Sequence, residues 1–301
     1  AMDRPPIDHR GPEFAELGKR ILTGLKEVFG ASEHVFVYPA SGSGSWEAAL
    51  VNTLSPGDRV VRYDNGHLCA TWGAVARAVG LTVDVLPWDW RRPVDPAALE
   101  EHLGGDKDHQ IKAVLVTHND TSTAVQNDIA ALSEIIRNKS NALILVDAVS
   151  SAGGSPLAMD AWGLDMVATA SQKAWMAGPG IGIIAVSKRA WAAYETSTMP
   201  KFYFDIAQYE KFLEISQPPF TPALSTIYGL DLALQQLADE GIENVIARHA
   251  EIDREAHQIV TLCLGLFLRL FQFGDAPLKR ILVLAQRLFR NLVPADNPQR
   301  R

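Results

Sequence analysis

Cysteine is almost absent from this 301-residue chain: Cys69 and Cys263 are the only two, with no CxxC pair and no His/Cys cluster at metal spacing. Such sparse usage excludes a disulfide scaffold, gives no pointer to a zinc site, and fits a reducing, cytoplasmic setting. Long apolar runs are missing too. The longest, Ile259 to Leu268, stops at Arg269, well short of the roughly 20 residues that a bilayer-spanning helix needs. No charged-then-apolar leader opens the chain. A surplus of basic residues is also lacking: the net charge is -7, which removes the footprint expected of a nucleic-acid binder or a polybasic membrane-surface protein. What is present is 47 % hydrophobic and 21 % charged residues, the balance of a soluble globular protein able to bury a large core and a smaller one. Its expected partner is a small molecule or another subunit.

Short apolar stretches recur along the chain: HVFVYPA, DRVVRYD, LTVDVLP, IKAVLVTH, NALILVDAV, MVATAS and GIGIIAVS. Their length, their Val/Ile/Leu content and the Gly/Pro/Asp punctuation between them predict strands buried on both faces of a mainly parallel sheet. Segments of helical period lie between, over Trp46 to Leu54, Ala70 to Val79, Pro96 to Leu103 and Asn127 to Asn138, and a longer one over Ala223 to Asp239. The fold class is therefore α/β, a three-layer sandwich around a mainly parallel mixed sheet, with chemistry expected in the loops after the strands' carboxyl ends. From Phe202 to about Gln217 the texture turns aromatic and mixed, and PPFTP then marks an irregular connection. From Gln258 onward seven Lys/Arg meet two Asp; RILVLAQRLFRNL in that stretch has the pattern of a basic amphipathic helix.

Three constellations carry chemistry. In YPASGSGSWEAAL a strand runs into Ser41-Gly42-Ser43-Gly44-Ser45 and then a helix, and glycine-freed backbone N–H groups with serine hydroxyls at a helix start can cradle a phosphate. An unliganded capping turn would look the same. In ALILVDAVSS an apolar strand ends on Asp147, a costly carboxylate unless something cationic or a hydrogen-bond donor meets it; a helix cap would do, as would a protonated ring nitrogen or a metal. Lys173 is the only charged residue from Met166 to Ser187. It either snorkels to solvent or lies desolvated, in which case its amine becomes a nucleophile of the Schiff-base kind. Phosphate cup, strand-end aspartate and lysine, in that order, are what pyridoxal phosphate requires.

The stretches YPASGSGSWEAALVNTLSPGDRV, THNDTSTAVQNDI, LILVDAVSSAGGSPLAMDAWGLDMVATASQKA and IENVIARHA also resemble the class V aminotransferases of the pyridoxal-phosphate fold type I group, most of all its serine–glyoxylate and alanine–glyoxylate members. The likeness is collinear over about residues 2 to 255. It implies that Lys173 carries the cofactor, that Asp147 keeps its pyridine nitrogen protonated, and that Ser43, Gly44, Ser45 and Gln172 hold its phosphate. Thr121 would approach the ring hydroxyl and Val149 would pack on one ring face. The resemblance further implies transamination of a small amino acid, serine or alanine, with glyoxylate or pyruvate as acceptor, in a homodimer.

Several positions depart from that family's pattern. Leu68 in NGHLCATW stands where an aromatic usually stacks on the other ring face. HNDTSTA has Asp120 and Ala124 in place of Glu and Gly, and Gln217 occupies the position of a tyrosine that reaches the neighbouring subunit's phosphate. A family-like "PGP" segment is not seen upstream, and the likeness fades from about Gln258, so no arginine, Arg269, Arg280 and Arg290 included, is assigned to the substrate carboxylate. The sequence thus suggests a cofactor-binding large domain over 1–217, a connecting helix over 218–257 and a divergent basic segment over 258–301. Two alternatives stay open: a silent cofactor-binding homologue, and a class V lyase or desulfurase, which would need a catalytic cysteine where this sequence has none.

Overall fold

A computed structural model describes residues 2–272, with side chains described to residue 263. The basic stretch RILVLAQRLFRNL, with Arg280 and Arg290, lies outside the described residues, as does the Arg269 side chain. Among the described residues the elements are α1 (Pro12–Phe29), β1 (His34–Pro39), α2 (Gly42–Thr53), β2 (Arg59–Asp64), α3 (His67–Ala78), β3 (Thr82–Pro87), α4 (Pro96–Gly105), β4 (Ile111–Thr117), β5 (Asn119–Asp120), β6 (Val125–Gln126), α5 (Ile129–Lys139), β7 (Leu143–Asp147), β8 (Met166–Ala170), β9 (Ile181–Val186), α6 (Lys188–Thr196), α7 (Ile206–Leu213), α8 (Leu224–Glu240) and α9 (Ile242–Gln272). The chain divides into one compact unit over 1–246 and a second over 247–301. No described helix is long and apolar enough to cross a membrane.

The first unit is built on a seven-stranded sheet in the order β1-β9-β8-β7-β4-β2-β3. All neighbours pair in parallel except at β9, which runs antiparallel to both β8 and β1. Every apolar stretch expected to be a strand is one. β7, β8 and β9 are buried at every position, as strands covered on both faces by helices must be. One core layer gathers α1, α5 and α8 against one face of the sheet; the other gathers α2 and α3 against the opposite face. Strands that run in the same direction have their carboxyl ends on one side of the sheet. The connections after β1, β2, β4, β7 and β8 therefore leave the sheet side by side.

The helices depart further from expectation. α1 has its apolar residues Phe14, Leu17, Ile21, Leu25 and Phe29 on one buried stripe, starts with proline in its first turn and stops at Gly30, whose φ of 59° permits the left-handed cap. It is additional to the helices that the sequence pattern singled out, as are α6 and α7. Both of these start on residues whose side chains cap them, Ser187 and Asp205. α2 begins four residues before the expected Trp46, so the Gly/Ser turn is itself the first turn of a helix. Its remaining turns are buried almost all round, which removes the one-sided periodicity that normally betrays a helix. α8 matches the expected long helix within one residue at each end and packs against α1 in the first unit.

Candidate functional site

An open cleft of about 380 Å³ lies at the carboxyl ends of the parallel strands. Ser41, Gly42, Ser43 and Trp46 reach it from the start of α2, His67 and Leu68 from the start of α3, Thr121 and Ser122 from the β5–β6 hairpin, Val149 from the loop after β7, and Gln172 and Lys173 from the turn after β8. Residues spread over 132 positions of sequence are thus brought to one place by sheet topology alone.

Two helix N-termini meet at this cleft, and they are used differently. The first belongs to α2, whose N-cap Ser41 makes no side-chain cap and whose first turn holds no acidic residue. Its leading N–H groups and the positive end of its dipole are therefore free for an anion. Gly42 is required there by close packing, because a Cβ would sit 2.8 Å from Val149 Cγ2. The second belongs to α3 and is already closed. The fully buried Asp120 accepts from the N–H groups of Leu68 (2.9 Å) and Cys69 (3.3 Å) through Oδ2, and from the Ser122 N–H (2.9 Å) and hydroxyl (2.6 Å) through Oδ1. Gly66 runs so close to this carboxylate that a side chain there would collide with it. The departure to Asp120 therefore has a structural use: it ties the hairpin to α3 and satisfies a helix start.

Asp147 ends β7, 1 % exposed. Its Oδ1 accepts from the Val149 N–H at 2.9 Å, while Oδ2 has no hydrogen-bond partner. Trp46 Nε1 lies near enough to favour the ionised carboxylate but outside hydrogen-bond geometry, and both atoms stay unpaired. Burial pushes Asp147 up to about 7. The Val149 N–H, the Trp46 indole and the more distant Lys173 amine pull it down, and Asp120 pushes it further up. An unpaired buried carboxylate of this kind calls for a cationic or N–H partner from within the cleft.

Of the two readings left open for Lys173, the structure has the exposed one. It is exposed at the rim of the cleft, so within this chain the amine is not desolvated. The reason lies two residues on: Trp175 takes the buried place in the turn, fully enclosed and donating its indole N–H to Thr169 Oγ1 at 3.1 Å. Ser171 closes the turn by donating its hydroxyl to the Gly178 carbonyl at 2.6 Å. The lysine is thus carried on an anchored turn but faces out. Gln172 beside it lines the cleft with a buried, unpaired Oε1.

Among the expected phosphate residues the structure separates two groups. Ser43 lines the cleft, whereas Ser45 is fully buried and donates its hydroxyl to the Thr169 carbonyl at 2.9 Å, so its side chain is committed to holding α2 on β8. At Gly44 a Cβ would point to Ala40 and the Phe204 ring, which leaves it only a backbone part. Val149, from the loop after β7, and Leu68, from the first turn of α3, face the cleft as an apolar pair, and Thr121 faces it while paired with the Ser150 hydroxyl. Gln217 bonds the Arg10 carbonyl at 3.0 Å instead. Cys69 is buried, its thiol donating to the Gly66 carbonyl at 3.0 Å and pushed up by burial; Cys263 is exposed on α9 in the second unit. Sequence reasoning gave no role to Trp46, His67 or Ser122. Trp46 had a signal, since it follows Ser43 by one helical turn and so shares its face. No arginine lines the cleft among the described residues.

These features fit one kind of occupant: a phosphorylated, flat, weakly basic ring. An anion would meet the open α2 terminus, and a cationic or N–H group would meet Asp147.

Comparisons with known proteins show the family. The family model "Aminotransferase class-V" matches residues 6–266. A soluble hydrogenase small subunit of Synechococcus sp. is 39 % identical over 252 residues, covering 84 % of this chain and 66 % of its own. The serine–glyoxylate aminotransferase of Arabidopsis thaliana is 39 % identical over 257 residues, covering 84 % and 64 %. The crystal structure of an alanine–glyoxylate aminotransferase from Nostoc sp. superposes with a TM-score of 0.81 at 25 % identity, over 87 % of this chain and 70 % of that one. The chain therefore spans slightly less than two thirds of the length of these curated relatives.

Proposed function

The chain belongs to the class V aminotransferases, and we propose that with pyridoxal phosphate in its cleft it moves the amino group of a small amino acid, serine or alanine, to glyoxylate or pyruvate. The observation that carries this reading is the unpaired, buried Asp147 in a site that also presents an open helix N-terminus and a lysine amine. The relative named as a hydrogenase subunit matches as large a share of the chain as the aminotransferase does, so the support for transamination comes from the chemistry of the cleft.

Bound there, the cofactor supplies an electron sink for the substrate's amino-bearing carbon. Asp147 holds a proton on the ring nitrogen, which keeps that sink effective and discharges the cost of a buried lone carboxylate. Ser43 and the first N–H groups of α2 hold the phosphate, with Gln172 beside them. Val149 and Leu68 fix the ring plane by apolar contact, and Thr121 approaches its hydroxyl. Lys173 would hold the cofactor through its amine, and as a free amine it would serve as general base toward the proton on the substrate's amino-bearing carbon and then as general acid. Its exposure in the single chain supports a homodimer in which a second copy covers the rim.

A second reading has its own support. Without an arginine on the cleft among the described residues, a substrate carboxylate has no cationic partner from them, which favours a chain that binds cofactor without turning over. Single-turnover mixing of the loaded chain with serine, alanine and aspartate separates the two. Formation of pyridoxamine phosphate with serine or alanine supports transamination; none with any donor supports the silent binder.

A further inference from the structure

Beneath the cleft, on the sheet face that packs against α2 and α3, Asp147 Oδ2, Thr117 Oγ1, Trp46 Nε1 and Trp72 Nε1 are buried without hydrogen-bond partners, as is Arg62 Nε on β2 against Gly73 of α3. Buried unpaired polar atoms are rare singly, and here an acceptor and several donors share one face. Thr117 and Asp147 are register partners at the ends of the adjacent parallel strands β4 and β7, so their side chains leave the sheet on the same side about 4.8 Å apart. Trp46 comes down on them from α2 and is stacked on Trp72 of α3, ring centroids 6.1 Å apart and planes 24° apart. Nothing in the first-turn chemistry of α2 needs a tryptophan, and β4 has no packing need for a hydroxyl at its last position.

We propose that Thr117 and Trp46 are positioning residues for Asp147, donating hydroxyl and indole N–H to its free oxygen when that oxygen carries charge, and so holding it ionised and aimed at the ring nitrogen. The inference rests on the proposed role of Asp147 toward the cofactor, but the pairing itself concerns only residues of this chain. The charged groups acting on Asp147 are Asp120, which opposes its ionisation, and Lys173, which favours it. His118 bonds the Asp147 carbonyl through its backbone N–H, and its ring is turned to Ser151 and Gln126.

The test uses the full chain without added cofactor, with tryptophan indoles 15N-labelled; the chain has seven. The Trp46 cross-peak, identified by its loss in Trp46→Phe, is followed across pH. The expected result is a titration of that peak with one midpoint, absent in Asp147→Asn. The midpoint should rise in Thr117→Val by about one pH unit, tenfold in proton affinity, as loss of a hydrogen bond to a charged group requires, and should return toward the parent value in Thr117→Ser, which keeps the hydroxyl and guards against a folding artefact. A Trp46 peak that ignores pH, one that still titrates in Asp147→Asn, or a midpoint equal in the parent and Thr117→Val would overturn the proposal. Failure to transaminate would leave all of these shifts intact, so the two readings fail separately.

Discussion

Replacing Asp147 with asparagine should make the cofactor-free chain more stable above neutral pH while disabling its site. Asp147 stands at about 7 in the folded chain against an ordinary value of 3.8, chiefly because burial opposes its charge. A folded-state value above the unfolded one means that the folded chain binds this proton more tightly. The stability so contributed is full below about pH 4 and is lost as pH rises through 7. At about 1.36 kcal/mol per pH unit, that rise gives about 4 kcal/mol as the upper size of the loss. Asparagine removes it, since an amide does not ionise. His118 works in the opposite sense: burial lowers it from 6.5 to about 4, so the stability it contributes is present above 6.5 and lost as pH falls through 4. The two slopes overlap, and the parent profile alone is not diagnostic. The difference between parent and Asp147→Asn cancels His118. By thermal unfolding, the variant should melt higher than the parent at pH 8, by up to about 8 °C at about 2 °C per kcal/mol, the low end of the range for large domains, with most of the gap gone by pH 4.5. Adding pyridoxal phosphate at pH 8 should raise the parent's Tm far more than the variant's. A variant that melts no higher than the parent at pH 8 would refute the argument that burial opposes the charge of Asp147.

Other consequences follow from the same geometry. Asp120→Ala should cost about 2 kcal/mol or more in chemical denaturation, because it uncaps α3 and leaves two buried N–H groups unpaired; a loss under 0.5 kcal/mol would show that the cap is idle. Ser43→Ala should weaken cofactor binding several-fold with little effect on stability, and Ser45→Ala should do the reverse, losing about 1 kcal/mol through its bond to Thr169; cofactor titration and thermal melting of the pair check this split. At the far end of the sheet, the fully buried Asp165 is paired with Arg137 (3.1 Å) and Arg189 (3.2 Å) and accepts from the Ile144 N–H. Asp165→Asn should therefore destabilise by about 3 kcal/mol by leaving two guanidinium groups without their counter-charge, seen as a lower denaturation midpoint.

How much of this was legible in the sequence depended on which signal carried it. The strands stood out because β-branched residues in short runs between Gly, Pro and Asp have few other readings, and with them came the expectation that chemistry sits at their carboxyl ends. Asp147 and Lys173 were recognisable as lone charges against apolar surroundings. Their environments were not. Lys173 turned out exposed because Trp175, two positions on, holds the buried slot, a competition that composition cannot weigh. Ser43 and Ser45 look alike in a Ser-Gly-Ser-Gly-Ser run, yet two residues apart on a helix is half a turn, which sends one hydroxyl to the cleft and the other to β8. Trp46, Asp120 and His118 gain meaning only when β4, β7, α2 and α3 are brought together, since their partners lie far off in sequence.

The central claim is that Lys173 holds the cofactor in a cleft organised around Asp147, and reductive trapping tests it most directly. The purified chain is incubated with pyridoxal phosphate, reduced with a hydride donor, digested and mapped by mass spectrometry. The account predicts the cofactor's mass on the peptide containing Lys173, stoichiometric at saturation, together with a visible absorbance before reduction that Lys173→Ala abolishes. Cofactor spread over other lysines, or an absorbance unchanged in Lys173→Ala, would contradict it.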